Sequence, residues 1–234
     1  MRLSLVIPCY NEARNLPALI ERCGALIADD PAIEVILVDN GSNDSTPAVL
    51  ADLLAPGGQI RSIRVERNQG YGHGILSGLR AAEGEILAWT HADQQTDPVD
   101  ARQGLDFFRV AANPERLFVK GRRYGRPLVD TLFTTGMSVF ETLLTRRRMS
   151  DINAQPTMFH RSQFAAWRDP PDDFALDLYA YWQARDLGCV VRRFPVLFGP
   201  RAFGTSHWNT GMKARMKFVR RTLAFSFALK RSKR

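Results

Sequence analysis

The stretch Ile86–Pro98 reads Ile-Leu-Ala-Trp-Thr-His-Ala-Asp-Gln-Gln-Thr-Asp-Pro, and it changes character half-way. Ile86–Trp89 is a short apolar run of strand length, and Asp97-Pro98 is a helix-starting pair. Between them, His91, Asp93 and Gln95 stand at alternate positions. In an extended segment residues i, i+2 and i+4 point the same way, so the spacing predicts that these three side chains converge. They would meet just past the carboxyl end of a strand, where open α/β sheets bind ligands. A solvated strand-to-helix loop has the same composition, so the flanking elements must decide.

Upstream, three strand-and-helix pairs precede Ile86. Leu3–Pro8, Ile33–Val38 and Ile60–Glu66 are β-rich runs. Leu16, Leu19, Ile20, Cys23 and Ile27 recur at helical spacing, and Val49, Leu50, Leu53 and Leu54 predict the apolar side of a second helix. A third helix runs to Ala82 after Gly70-Tyr71-Gly72-His73-Gly74, a run that reads as a tight turn more readily than as a phosphate cradle. This β-α-β-α-β-α-β alternation predicts a mostly parallel sheet flanked by helices, in a Rossmann-like α/β fold. The polar loops Pro8–Glu12, Asp39–Ser42 and His91–Gln95 would then share one edge of the sheet.

Downstream the pattern loosens. A helix is expected around Leu105, Phe108 and Val110, a strand at Leu117–Lys120, and a longer helix at Leu128–Leu144 closed by Arg146-Arg147-Arg148. Asp151–Pro156 reads as a loop, Thr157–His160 as a strand, Leu176–Leu187 as a helix and Cys189–Phe198 as a strand. Without repeats, low-complexity runs or linkers, a single domain is expected.

Composition is that of a globular protein, with 45% hydrophobic and 24% charged residues. No run has the roughly 18 apolar residues of a membrane span, and Met1-Arg2-Leu3 leads straight into a strand, so a cytoplasmic location is expected. The three cysteines lack disulfide or metal spacing. The net charge of +8 is uneven: Leu187–Arg234 holds twelve Lys/Arg and no carboxylate, whereas residues 1–186 are net negative by four. Met212, Met216, Val219, Leu223 and Phe227 lie at near-helical spacing among nine Lys/Arg, as in a basic amphipathic helix. Such a helix lies on the inner face of an anionic membrane or packs on the domain with its basic face solvated. Nucleic acid is not expected as a partner, because aromatic and basic residues are not interleaved on a recognised module.

Val6-Ile7-Pro8-Cys9-Tyr10-Asn11-Glu12, Val38-Asp39-Asn40-Gly41-Ser42 and His91-Ala92-Asp93-Gln94-Gln95 together resemble the family 2 glycosyltransferases of the GT-A fold. Gly121–Tyr124, Asp151–Phe159 and Pro195–His207 are similar to the dolichyl- or polyprenyl-phosphate sugar synthase branch. The resemblance implies a glycosyltransferase domain over 1–208, with 209–234 as a basic tail. It implies inverting transfer of a sugar from a nucleotide diphosphate to a polyprenyl phosphate. A saccharide or other hydroxyl acceptor is the alternative, and a binding protein without catalysis is a third reading.

Carried over by position, the resemblance implies that Pro8, Tyr10 and Glu12 hold the nucleoside and that Asp39 reads its base edge or ribose. His91-Ala92-Asp93 occupies the Asp-x-Asp position that binds Mg²⁺ or Mn²⁺, with His91 departing from it. Asp93 would be the anionic ligand and Gln95 a neutral one. His91 would be either an imidazole ligand, which favours Mn²⁺, or a protonated contact to phosphate. Arg123, Arg201 and His207 would hold the diphosphate, and Ser206 lies in the same basic segment. Asp151 would either deprotonate the acceptor or position it.

Overall fold

Strands buried on both faces read as near-continuous apolar runs, and the central strands of this chain do so. The computed structural model describes residues 1–28, 30–201, 203 and 220–227. In chain order the elements are β1 (Leu3–Cys9), α1 (Leu16–Ile27), β2 (Ile33–Asn40), α2 (Thr46–Leu53), β3 (Ile60–Val65), α3 (Tyr71–Ala81) and β4 (Ile86–Trp89). They continue with α4 (Asp100–Arg109), β5 (Leu117–Tyr124), α5 (Leu128–Thr145), β6 (Thr157–His160), α6 (Arg161–Ala165), α7 (Leu176–Asp186) and β7 (Val190–Leu197). A helical stretch at 220–227 completes the described chain.

One seven-stranded sheet runs in the order β3-β2-β1-β4-β6-β5-β7. β3, β2, β1 and β4 are mutually parallel. β6 is antiparallel to both β4 and β5, and β5 is parallel to β7. The expected single α/β domain with a mostly parallel sheet is therefore present. Alternate residues feed two cores: Leu3, Leu5, Ile7, Val35, Leu37 and Ala88 join the layer with α1 and α4. Val6, Ile36, Val38, Leu87 and Trp89 join the opposite layer with α3 and α7.

The structure corrects several sequence readings. His91–Gln95 is a turn, not an extended segment, and Gln94 has a left-handed backbone with φ of +56°. The side chains meet because the chain folds back there, so strand alternation is not the cause. β5 runs on through Arg123 to Tyr124, beside β7 along its whole length. Val110 lies beyond the end of α4 and is exposed, as is Leu53 on α2. Lys120, which the sequence places at a strand end, is completely buried.

Glycine is structurally required beside the sheet edge at Gly70. Gly70 has φ of +123°, and a Cβ there would lie 2.3 Å from the carbonyl oxygen of Asp172. The run Gly70–Gly74 thus lets the chain at Asp172 cross closely over the start of α3, where His73 N–H donates to Asp172 O at 3.0 Å. Gly70→Ala is expected to destabilise the fold by about 2 to 3 kcal/mol, from backbone strain and overlap together. Urea unfolding of the variant measures this, and a loss below about 0.5 kcal/mol would contradict it.

Candidate functional site

Because β1, β2 and β4 are parallel, the loops after them open on one side of the sheet. A cleft of about 430 Å³ lies there. Pro8, Tyr10 and Glu12 from the β1 loop, Asn40 from β2, and His91, Asp93 and Gln95 from the β4 loop all line it. Its far wall comes from Arg123, Arg126, Asn153, Phe198 and Arg201.

Asp93 is a tightly held anion on this surface. It is 5% exposed; its Oδ1 accepts the backbone N–H of Gln95 at 3.2 Å, and its Oδ2 pairs with Arg201 at 2.7 Å. Gln95 is tied to the other wall, its Nε2 donating to Gly199 O at 3.1 Å. Glu12 stands near both Asp93 and Arg201. Burial pushes its carboxyl up, while the Asn15 amide and Arg201 pull it down. The β4 loop and the chain after β7 are thus joined by one charge network.

His91 faces a different partner. Its Nε2 lies 2.8 Å from the hydroxyl of Tyr71, the first residue of α3. Tyr71 stacks on Phe174 at 4.6 Å between ring centres, and burial pushes its phenol well up, so it stays protonated. Asp177 also lines the cleft. It accepts from Trp89 Nε1 at 3.3 Å and from Gln155 Nε2 at 2.7 Å.

Two site residues expected from the sequence lie off the cleft surface. Asp39 is 2% exposed; one oxygen accepts the Ser42 N–H at 2.9 Å. The other has no hydrogen-bond partner and lies 3.5 Å from Arg64 Nε. Asp151 lies behind Arg123 and accepts three hydrogen bonds from it. Its Oδ1 accepts from the guanidinium Nε at 2.9 Å and also from Nη2, and its Oδ2 accepts the Arg123 backbone N–H at 3.1 Å. Burial alone would raise this carboxyl, but the Arg123 pair outweighs it and holds the group below the usual carboxylate range. Ser206 and His207 lie outside the described residues.

Sequence reasoning passed over Tyr71, Arg126, Phe174 and Asp177. Arg126 reads as one surface arginine among many, yet it is packed beside Phe198 at 5.5 Å and donates to Thr134 at 3.0 Å. Tyr71 was visible only as the residue after Gly70, in a run read as a turn. Phe174 and Asp177 sit far along the chain, and only α7 packing on the sheet brings them to the cleft.

The model of the Glycosyl transferase family 2 matches residues 4–174. The chain belongs to this family. Curated relatives include the undecaprenyl-phosphate 4-deoxy-4-formamido-L-arabinose transferases of Yersinia pestis (strain Pestoides F) and Enterobacter sp. (strain 638). They are 40% and 37% identical over 177 residues, which is 70% of this chain and 54% of each relative. The chain thus spans about half the length of the curated relatives it matches. Solved structures of the same fold include glucosyl-3-phosphoglycerate synthase from Mycobacterium tuberculosis, in complex with Mn²⁺, uridine diphosphate and glucosyl-3-phosphoglycerate. It has a TM-score of 0.71 at 17% identity, covering 98% of this chain and 79% of that one. A mannosyltransferase from Pyrobaculum calidifontis, in complex with GDP-mannose and Mn²⁺, has a TM-score of 0.63 at 20% identity over 87% of this chain and 58% of its own.

Does the cleft of this family 2 glycosyltransferase suit a divalent cation? Among the described residues no three His, Cys, Asp or Glu side chains form a cage. Mg²⁺ and related ions in phosphate-handling sites need no such cage, since one or two carboxylates suffice beside substrate phosphates and water. Asp93 supplies a carboxylate, Gln95 an amide oxygen and His91 an imidazole in the same cleft. That donor set fits.

Proposed function

We propose that the protein is an inverting glycosyltransferase that moves a sugar from a nucleotide diphosphate to a polyprenyl phosphate such as undecaprenyl phosphate. The observation that carries this reading is the cleft at the ends of β1, β2 and β4, with Asp93 against Arg201 and with Arg123 and Arg126 on the wall opposite. The nucleoside lies along Pro8, Tyr10 and Glu12, with Asp39 supporting that end from behind. The diphosphate lies towards Asp93 and the arginines. Asp93, with His91 and Gln95, would hold Mg²⁺ or Mn²⁺, which neutralises charge on the departing diphosphate. In the step itself, an acceptor phosphate oxygen forms a bond to the anomeric carbon. The bond from that carbon to the diphosphate breaks, and the nucleoside diphosphate leaves with the electron pair.

What this chain's own residues do is bind, orient and balance charge. Arg201 neutralises Asp93 before the donor arrives and can turn to the diphosphate oxygens when it binds. Donors preorganised around developing charge are the usual source of rate in such transfers. Asp151 favours a phosphate acceptor over a hydroxyl. A hydroxyl acceptor needs a base, whereas this carboxyl is held in its charged form by Arg123 and is a poor proton acceptor. Its role is then to fix Arg123 towards the acceptor. Ser206 and His207, and peripheral contact of 212–234 with the inner face of a membrane, belong to the same proposal.

The test is a thermal-shift panel of nucleoside diphosphates with Mg²⁺, Mn²⁺ or chelator. A nucleotide at a hundred times its dissociation constant should stabilise the fold by about 2.7 kcal/mol. A cation-dependent shift with one base is expected, and no shift with any nucleotide would overturn the donor site.

A further inference from the structure

The long helix α5 presents a surface that does not suit water. Leu128 is 87% exposed, Val129 and Leu132 75%, Leu143 74%, Val139 54% and Phe133 45%. Across its 18 residues the helix has no Lys or Arg and two acids, Asp130 and Glu141. Glu141 is wholly buried on the inner face, where it accepts a hydrogen bond from Ser226 of the helical stretch at 220–227. A solvated helix face carries charged residues opposite its apolar stripe. Here the outward face is the apolar one, and contiguous exposed apolar surface of this kind marks an interaction site.

The hydroxyls of α5 point to the medium it meets. All six Ser and Thr side chains donate to the carbonyl four residues back: Thr131 to Pro127, Thr134 to Asp130, Thr135 to Thr131, Ser138 to Thr134, Thr142 to Ser138 and Thr145 to Glu141. Such back-bonding leaves the two exposed hydroxyls, Thr131 and Thr135, independent of water, as an apolar medium requires. At the C-terminal end, Arg146, Arg147 and Arg148 are exposed. Arg220 and Arg221 are exposed on the neighbouring stretch 220–227. Among the described residues no helix is long and apolar enough to cross a membrane. An apolar stripe about 22 Å long, ended by arginines, instead matches a helix lying in the plane of an anionic leaflet.

We propose that α5 is a membrane-interface helix, with the stripe Leu128–Leu132–Val139–Leu143 in the acyl boundary of an anionic bilayer and the arginines on its headgroups. The same helix contributes Asp130, Phe133 and Thr134 to the cleft lining. Seating α5 in the interface therefore brings the cleft mouth to the depth of lipid phosphates, where a polyprenyl phosphate acceptor presents its own. That last step rests on the transferase reading, but the membrane contact does not.

The experiment is flotation of the full chain with vesicles of phosphatidylcholine alone or mixed with phosphatidylglycerol. The variant Leu128→Glu/Leu132→Glu/Leu143→Glu is compared with the wild type, and its melting temperature and nucleotide binding are followed in parallel. Binding to the anionic vesicles is expected, weakened at least about tenfold in the variant, with melting and nucleotide binding unchanged. In Leu132→Trp, brominated acyl chains should quench the new tryptophan. Unchanged flotation of the triple variant would assign binding to the basic tail and overturn the proposal. So would an apolar contact between two copies, seen as a dimer that the variant splits without any vesicle binding. Vesicle binding without nucleotide binding would leave α5 in the membrane and remove the transferase reading; the converse would do the opposite.

Discussion

Asp93→Asn is expected to slow sugar transfer at least about a thousandfold and to abolish the dependence of nucleotide binding on divalent cation. The side chain keeps its shape, so the Gln95 N–H that Asp93 accepts still finds an oxygen. What is lost is the one cleft carboxylate that Arg201 pairs with. Without it, a divalent cation has no anionic protein ligand from the β4 loop, and the leaving diphosphate lacks its main counter-charge. The loss should therefore fall mainly on turnover, with a smaller rise in KM, because charge on the diphosphate grows as the bond breaks. Steady-state transfer assays with Mg²⁺ and Mn²⁺, beside calorimetry of nucleotide binding, separate the two effects. A variant that transfers sugar within tenfold of the wild type would remove Asp93 from the chemistry. Arg201→Met supplies the opposite sign: freed of its partner, Asp93 should bind Mn²⁺ alone more tightly while nucleotide binding weakens.

The parts of this molecule that are legible in the sequence are those ruled by local pattern. The parallel half of the sheet follows from apolar runs such as Leu3–Pro8 and Ile33–Val38, separated by helical periodicity and polar loops. Parallel strands bring their carboxyl ends to one side, so the meeting of Pro8, Glu12 and Asp93 in one cleft could be read from strand order alone. The side-chain partners could not. Nothing in Asp151 or Arg123 as a sequence says that they bind each other, because β5 runs on past the expected strand end at Lys120 to Tyr124 and carries Arg123 onto the Asp151 turn. Asp177 and Tyr71 reach the cleft through tertiary packing of α7 and α3, at separations where periodicity carries no information. The same holds for α5. Its helical spacing is plain, but which face looks outward is set by Glu141 and Ser138 turning inward, against the usual preference for charge outside.

Lys120 shows how far such burial can go, and it carries the second large expectation. It is 0% exposed, donates to Thr157 Oγ1, and lies near the faces of Phe118 and Tyr181. Burial lowers its pKa from 10.5 to about 7; Asp177 and Asp151 oppose the shift, and Arg193 and Arg123 add to it. The sign follows from proton counting. Between pH 7 and about 10.5 the unfolded chain holds a proton on this amine that the folded chain largely lacks, so stability rises with pH across that window. Below about pH 7 both states are protonated and the cost of the buried charge is constant. A depression of this size corresponds to roughly 4 kcal/mol between pH 7 and pH 10.5, as an upper estimate. Lys120→Met keeps the length of the side chain and removes the titration. The variant should therefore be more stable than the wild type at pH 7, by about 2 to 4 kcal/mol after allowing for the hydrogen bond that the Thr157 hydroxyl no longer accepts. The gap should narrow as pH approaches 10.5 and close above it, where the wild-type amine is neutral in both states. Urea unfolding of both proteins at pH 7, 8.5 and 10 measures the gap directly. A difference that stays constant with pH would mean that Lys120 remains charged inside the fold, held there by Asp177 and Asp151.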